Sequence, residues 1–335
     1  MGNQTEYKKS VLMFCANFFG YDKRIARALQ DEGYAVDLFD ERPGNGFVAK
    51  TCIRYRVSLY RPVIKRYIQS VIQQAGDRQY DYVLVVKGEG ITEQAIAMLR
   101  AAYPEAKFVL YLWDSAANIP QCEERMKLYD RVLTFDPADA EKYAIPHLSI
   151  PYGMEYMQRE EADRQDYDVA FIGTAHSVRP RVVKQIEQLC REHGRSCFVY
   201  FYSPHILVFL LNKLTNRDYR WIKKKDVHFK ALSSRQVRDI YSRSKCVLDI
   251  EHPKQQGMTT RAVEMLALNK KIMTTNTRVQ DAPFYHPNNI CLIDRDNPQL
   301  DISFLDAPYV PVSEDVLEQY SPGRFARELM GEANV

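Results

Sequence analysis

Short apolar runs alternate with amphipathic stretches along the whole chain, and most of the apolar runs end in polar or small residues. Such runs predict buried parallel strands, and apolar positions three and four residues apart predict the helices between them. The predicted strands are 11–15, 35–39, 82–86, 108–112, 131–135 and 147–150, then 169–172, 197–201, 227–229, 246–250, 271–274 and 290–293. The predicted helices are 22–32, one within 50–74, 93–102, 122–129, 138–143, 179–193, 234–242 and 260–268. This pattern predicts an α/β fold.

One polar, acidic segment without apolar periodicity, residues 152–165, interrupts the alternation. Its position in a chain of 335 residues predicts two Rossmann-like domains, 1–152 and 166–335, joined by a linker at 153–165. Two such domains would face each other across a cleft, where ligands often bind. A last helix around 324–330 either stays with the second domain or packs back on the first.

Composition narrows the class of protein. The net charge of +3 is too small to predict nucleic-acid binding. The seven cysteines contain no CxxC pair, and four lie inside apolar runs, which fits a reducing cytoplasm. The N-terminus lacks the apolar segment of a signal peptide, and the apolar run 206–211 is too short to span a bilayer. We therefore expect a soluble, cytoplasmic protein.

The stretch 248–276 carries the most chemical information, because it predicts a strand, a polar loop, a helix and another strand. Gly257 permits close backbone approach, and Thr259 or Thr260 can cap the helix. The free N–H groups and positive dipole of that helix end suit a diphosphate, and Arg261 could add a charge-assisted hydrogen bond. Glu264 could accept hydrogen bonds from ribose hydroxyls. An Arg261–Glu264 ion pair on a capped surface helix explains the pattern equally well.

A second turn, Gly173-Thr174-Ala175-His176, follows a predicted strand, and Arg179 and Arg181 open the next helix. A glycine turn at a helix N-terminus suits phosphate or sugar hydroxyls. A plain loop with a solvated His176 is the alternative.

The second half resembles the C-terminal domain of GT-B fold glycosyltransferases, particularly those of bacterial capsule and lipopolysaccharide assembly and the CgeB-like group. The resemblance lies in FIGTAHSVRPR at 171–181, VHFKALSSRQVRDIYSRSKCVLDI at 227–250, and the loop and helix that end in KKIMTTN. It covers 166–295; residues 1–150 share only the fold and the WDS and DERP turns. With the two turns above, it gives these candidate donor-binding residues: Gly173, Thr174, His176, Arg179, Gln256, Gly257, Met258, Thr259, Thr260, Arg261 and Glu264.

The resemblance implies a nucleotide-sugar transferase in which Glu264 holds the donor ribose. We expect the donor to be UDP-linked and the reaction to need neither a metal nor another cofactor. Many retaining members carry a second glutamate eight residues earlier, where this chain has Gln256, so the stereochemical course is not carried over. The Asp294-Arg295-Asp296 sequence mimics a metal-binding DxD, but it trails a late strand, and we interpret it as a chance match.

Two carboxylates at strand ends of the first half are candidates for the catalytic base. Asp114 follows VLYLW and Glu89 follows VLVVKG, so both should lie at the carboxyl edge of the sheet. Transfer with inversion needs a base near the acceptor hydroxyl, and glycosyl chemistry usually takes it from a carboxylate. Turn capping by Asp114 and pairing of Lys87 with Glu89 are the structural alternatives. Residues 40–43 form a charged turn that could contact the acceptor or simply end the second strand.

Two basic, aromatic segments, 204–225 and 54–67, could lie on anionic lipid. Packing on their own sheets with extended Lys and Arg side chains is the alternative. We expect a transferase that moves sugar from a nucleotide-sugar donor to a glycan or lipid-linked oligosaccharide in cell-surface polysaccharide synthesis, with peripheral contact at the inner membrane surface left open. A nucleotide-sugar epimerase of the same fold and a non-catalytic binding subunit are the alternatives; an oxidoreductase is disfavoured because no GxGxxG follows a strand.

Overall fold

A computed structural model describes residues 9–44, 46, 53, 57–157, 164–252 and 257–332. The chain divides into two compact units. The first runs to Ile150 and includes the segment from Ser321, and the second is Pro151–Tyr320. Within the described residues, no helix has both the length and the apolar content needed to cross a membrane.

Five parallel strands form the described sheet of the first unit, in the order β2-β1-β3-β4-β5. They are β1 Lys9–Cys15, β2 Tyr34–Phe39, β3 Tyr82–Val86, β4 Lys107–Leu112 and β5 Arg131–Thr134. The helices are α1 Tyr21–Asp31, α2 Val57–Ala75, α3 Glu93–Ala102, α4 Cys122–Met126 and α5 Pro137–Tyr143. In β1, Val11 and Met13 enter the core on one face and Leu12 and Phe14 the core on the other. Both faces are therefore covered, which explains the continuous apolar runs.

The strand expected at 147–150 is wrong. Only His147 pairs with the sheet, as an isolated parallel bridge to Thr134. Leu148 and Ile150 are nevertheless buried in the core, so burial without strand pairing produced the apolar signal. The basic positions 54–56 and most of 50–56 lie outside the described residues.

Six parallel strands form the described sheet of the second unit, in the order β11-β10-β9-β6-β7-β8. They are β6 Tyr167–Thr174, β7 Cys197–Tyr202, β8 Val227–His228, β9 Ser244–Asp249, β10 Lys271–Thr274 and β11 Ile290–Leu292. The helices are α6 Arg179–Glu192, α7 Ile206–Thr215, α8 Ser234–Ser242, α9 Thr260–Ala267, α10 Ile302–Asp306 and α11 Glu314–Glu318. The last two short helices had no clear apolar period and were not predicted.

The structure divides the chain differently at the linker, and it places the last helix, whose domain the sequence left open. Tyr152 and Tyr156, placed at or in the linker by sequence, are buried in the core of the second unit. The last helix, α12 Pro322–Met330, belongs to the first unit. Its Phe325 packs edge-on against Tyr111 with ring centroids 5.2 Å apart, and its Arg327 pairs with Glu32 at 2.9 Å. The helix belongs to the first unit because its apolar face is buried in the core of that unit.

Candidate functional site

The strand order of the second unit reverses between β6 and β9. From β6 the chain continues to β7 and β8 on one side, and from β9 it continues to β10 and β11 on the other. In an open parallel sheet, ligands bind outside the carboxyl ends of the strands at such a reversal. The described residues that leave this point are 175–178 after β6 and 250–252 after β9, and 257–259 lead into α9, so the two turns singled out from the sequence adjoin the same edge.

Asp249, the last residue of β9, fixes the start of α9. Its Oδ1 accepts a hydrogen bond from Nη1 of Arg261 at 2.7 Å, and its Oδ2 accepts one from the Thr259 hydroxyl at 2.7 Å. Thr259 in turn caps the helix by accepting from the backbone N–H of Ala262 at 3.3 Å. The Asp249 side chain is only 2% exposed. The N-terminal end of α9 is therefore held against the sheet edge by the buried ion pair between Asp249 and Arg261.

Arg261 makes two further hydrogen bonds, which the sequence did not indicate. Its Nη2 donates to the carbonyl of Ile172 at 2.6 Å and its Nε donates to the hydroxyl of Tyr241 at 3.1 Å. Burial acts to lower the pKa of Arg261, but Tyr241 and Asp249 prevail and raise it. The guanidinium is thus a charged structural element of the site, and its carboxylate partner is Asp249.

The turn after β6 lies against this guanidinium. A Cβ atom on Gly173 would lie 2.9 Å from the Phe171 ring and 3.3 Å from Nη2 of Arg261, so only glycine fits without a shift. His176 follows, with its ring 6.0 Å from that of His252. Burial, together with the charge of Arg179, lowers the pKa of His176 to about 3. His176 is therefore neutral near pH 7 and serves as a hydrogen-bonding group.

Arg179, in the first turn of α6, is a cation of this site without a close carboxylate partner in the described part of the chain. It is half-buried, and its Nε donates to the backbone carbonyl of Ile250 at 2.6 Å. Among the described residues, no carboxylate lies within ion-pair distance of it. Burial and the nearby Arg261 lower its pKa to about 10. A half-buried cation beside a second cation is a position where an anionic ligand gains free energy.

The other donor-binding candidates sit around the same loop and helix. Gly257 is buried, and its carbonyl accepts from Nδ2 of Asn276 at 3.2 Å. Met258 is half-buried, Thr260 is the first residue of α9, and Glu264 is buried within that helix at 6% exposure. Gln256 lies outside the described residues. Their roles in binding stay predictions.

A second buried carboxylate near this edge was missed by the sequence reasoning. Glu251 accepts from the Thr275 hydroxyl and pairs with Arg295. Each residue of the Asp-Arg-Asp sequence therefore makes a structural contact. Arg295 pairs with Glu251, and Asp294 accepts hydrogen bonds from turn amides, including the N–H of Asp296 at 2.7 Å. Asp296 pairs with Arg181 at 3.1 Å.

In the first unit the strand order reverses between β1 and β3. The catalytic candidate Glu89 lies just after the carboxyl end of β3, and Asp114 lies just after that of β4. Lys87 joins them: its Nζ is 3.0 Å from Oε2 of Glu89 and 3.4 Å from Oδ2 of Asp114. Asp114 also accepts from the backbone N–H of Ser115 at 3.0 Å and from Nδ2 of Asn118 at 2.9 Å. The structure therefore contains the turn-capping contact and also brings the two carboxylates to one cation.

The turn that presents Lys87 has an unusual backbone. Lys87 and Gly88 both have left-handed φ angles, 78° and 77°, and a non-glycine residue in this region is uncommon. The N–H of Gly88 donates to Oε2 of Glu41 at 2.9 Å, and Nη1 of Arg125 donates to the Gly88 carbonyl at 2.6 Å. A Cβ on Gly90 would lie 2.4 Å from the Glu41 carbonyl oxygen, so glycine is required there. These contacts hold the charged turn 40–43 and the Lys87 turn together.

Glu41 predicts a pH-dependent stability. It is fully buried and its Oε1 has no partner; burial, reinforced by Glu89 and opposed by Lys87, raises its pKa to about 7 from an ordinary 4.5. The folded state therefore binds more protons than the unfolded state between these values, so the free energy of unfolding should fall as pH rises from 4.5 to 7. Glu41→Gln should flatten this part of the profile in denaturant titrations, and the exposed Glu105→Gln should not. An unchanged slope in Glu41→Gln would contradict the assignment.

Comparison with solved structures identifies the fold. Over 97% of both chains, the protein is similar to AviGT4, a glycosyltransferase involved in avilamycin A biosynthesis, with TM-score 0.60 and 12% identity. It is similar to Anabaena HepE, solved in complex with UDP and glucose, over 96% of this chain and 98% of that one, with TM-score 0.61 and 11% identity. A glycosyltransferase from Rickettsia africae gives TM-score 0.57 at 11% identity, over 97% of both chains. The two-unit α/β architecture of the GT-B fold is thereby confirmed.

No protein-family profile matches the sequence, and neither does any curated protein. At 12% identity or below, these structural similarities show the fold alone.

Proposed function

We propose that this protein is a glycosyltransferase that moves a sugar from a nucleotide-sugar donor, UDP-linked, to a glycan or lipid-linked acceptor in cell-surface polysaccharide synthesis. The observation that carries the proposal is Arg179, which follows the Gly173 turn and is influenced by Arg261 at the capped end of α9. This cation is half-buried, and none of the described carboxylates is close enough to form an ion pair with it. The full-length likeness to glycosyltransferases, including one crystallised with UDP and glucose, supports it.

In this proposal the second unit holds the donor through its diphosphate. The bond between the anomeric carbon and the diphosphate oxygen breaks, and its electron pair leaves with the diphosphate. The N–H groups at the start of α9 and the Arg179 guanidinium stabilise that growing charge, as a metal ion does in other transferases. Glu264, on the same helix, is assigned to the ribose hydroxyls.

The first unit is assigned the acceptor hydroxyl and its base. As the acceptor oxygen bonds to the anomeric carbon, its proton passes to a carboxylate, Asp114 first and Glu89 second. An epimerase of the same fold would instead release epimerised sugar from the donor alone. Incubation without an acceptor, followed by chromatography of the sugar, separates these two reactions, and turnover on a glycan separates both from a non-catalytic subunit.

The first prediction from this proposal concerns donor class. In a thermal-shift screen of UDP-, GDP-, dTDP- and CMP-linked sugars, a UDP-linked compound should raise the melting temperature most. A ligand at a hundred times its Kd stabilises the folded state by about 2.7 kcal/mol, which is readily measured. A screen in which none of the four classes shifts the transition would contradict nucleotide-sugar binding.

The second prediction concerns Arg179. Arg179→Gln should weaken donor binding about 10- to 100-fold by calorimetry, because a charge-assisted hydrogen bond to phosphate is lost. Arg191→Gln is the matched control, since Arg191 is exposed at the far end of the same helix. Glu264→Gln should also weaken binding of the donor. Equal affinities for Arg179→Gln and Arg191→Gln would show that the diphosphate lies elsewhere.

Arg261→Ala is a poor test of the same site. It leaves Asp249 buried without its cation, so any loss of binding would be mixed with loss of folding.

A further inference from the structure

Helix α7 (Ile206–Thr215) carries a row of leucines that the second unit leaves uncovered. Leu207, Leu211 and Leu214 are 66%, 60% and 86% exposed, and Leu210 beside them is 48% exposed. Spacings of four and three residues place the first three along one face of the helix. Phe209 anchors the opposite face and is only 2% exposed. Side chains of this size are normally buried, so an uncovered row of them marks an interaction surface.

A basic segment follows the leucines directly. Lys213 donates to the carbonyl of Ile222 at 2.8 Å, which ties the helix to this segment. Trp221 within the segment is 39% exposed. Among the described residues, no carboxylate lies within ion-pair distance of its five exposed cations. They are Arg217, Arg220, Lys223, Lys224 and Lys225.

We propose that α7 docks on the surface of an anionic phospholipid bilayer. An exposed leucine face beside unpaired cations is complementary to acyl chains beneath negatively charged headgroups. The leucines would enter the acyl region, Trp221 would lie at headgroup level, and the five cations, Arg217 to Lys225, would bind lipid phosphates. A protein partner would need an acidic rim around an apolar groove, and a second copy of this basic surface would be repelled, so charge favours the bilayer.

The same segment supports the candidate donor site, a link that rests on the proposed function. Nδ2 of Asn216 donates to the carbonyl of Ser177 at 3.0 Å, and the hydroxyl of Tyr219 donates to the carbonyl of Ala175. Both carbonyls belong to the loop after β6, which carries His176. A bilayer that binds α7 would therefore also restrain the loop after β6, which lies beside the proposed site of the donor diphosphate.

Vesicle co-sedimentation of the full chain tests the proposal. Wild type should bind vesicles containing phosphatidylglycerol, bind phosphatidylcholine vesicles weakly, and dissociate as salt rises. Leu207→Ser/Leu211→Ser/Leu214→Ser should lower the partition coefficient by roughly tenfold per inserted leucine. Met154→Ser is the matched control, because Met154 is also an exposed apolar residue, at 60%, in the second unit. All three leucines are exposed, so the melting temperature should stay near that of wild type.

The cations are tested separately. Lys224→Gln/Lys225→Gln should weaken binding to anionic vesicles about fivefold per charge removed. Arg191→Gln/Arg235→Gln removes two exposed charges elsewhere in the second unit and should leave binding unchanged.

Three results would overturn the proposal. The first is that wild type does not bind anionic vesicles, and the second is that the leucine variant binds them as well as wild type does. The third is that the leucine substitutions lower the molar mass in light scattering without changing vesicle binding, which would make the face an interface between copies. Donor affinity of the leucine variant, measured by calorimetry without lipid, should equal that of wild type. If wild type binds the donor but not vesicles, the docking proposal fails and the proposed function stands. If it binds vesicles but no donor, the proposed function fails and the docking proposal stands.

Discussion

Asp114→Asn is expected to slow sugar transfer by about 10²- to 10⁴-fold, the usual contribution of a general base, while donor affinity stays near that of wild type. Asparagine can still accept from the N–H of Ser115, so the turn should persist. What it loses is the negative oxygen near Lys87 and the ability to take a proton. Single-turnover kinetics with saturating donor would measure the chemical step directly.

Two comparisons make this result specific. Asp130→Asn is a matched control, because Asp130 accepts from the backbone N–H of Phe108 at 2.7 Å near the opposite end of β4. It should leave the rate within a factor of a few. Glu89→Gln distinguishes the two candidates: a larger loss there would make Glu89 the base, and near wild-type rates in both would exclude this edge of the sheet.

The size of the loss also bears on stereochemistry. An inverting transferase needs a base at the acceptor hydroxyl, so removal of the base should be severe. The anomeric configuration of the product, determined by NMR, would show whether a large loss at Asp114 coincides with inversion.

Asp249→Ala is expected to lower the unfolding free energy of the second unit by about 3–5 kcal/mol. Asp249 and Arg261 have side chains only 2% and 14% exposed and lie 2.7 Å apart, so truncation leaves a buried cation without its partner. The cap at Thr259 loses its anchor as well. In an Asp249→Ala/Arg261→Met double variant, the total should be smaller than the sum of the single losses, because no lone charge remains.

The measurement can be confined to one unit. The chain has two tryptophans, Trp113 in the first unit and Trp221 in the second, so Trp221 fluorescence in a Trp113→Phe background follows unfolding of the second unit. Asp281→Ala is the control, because its ion pair with Arg278 is exposed and such pairs contribute little. A loss below about 1 kcal/mol for Asp249→Ala, as for an exposed pair, would contradict the structural role assigned to it.

Much of this architecture could be predicted from local pattern. The apolar runs of β3 and β10 and the amphipathic periods of α3 and α8 coincide with the observed elements, because burial on both faces or one face leaves its period in the sequence. A threonine cap of α9, Thr259 or Thr260, was likewise recognisable, since capping acts within a few residues of chain. The structure shows that Thr259 is the cap.

Contacts between distant residues could not be predicted in this way. No local period indicates that Arg261 pairs with Asp249 twelve residues earlier. Pairing of Lys87 with Glu89 could be considered from the sequence, but its second partner, Asp114, could not. The strand end CVLDI did contain a signal, an aspartate closing an apolar run, but its partner depends on which strands are neighbours.

The sequence by itself determined the alternation of strands and helices, the two-domain α/β class and the chemical types of side chain at the strand ends. Only the tertiary structure decided the strand order, the placement of α12 on the first unit, and which cations are compensated. Apolar periodicity and helix capping arise from neighbours in the chain. Strand order and ion pairing arise from the packing of segments far apart in sequence, where burial selects one arrangement among many that share the same local pattern.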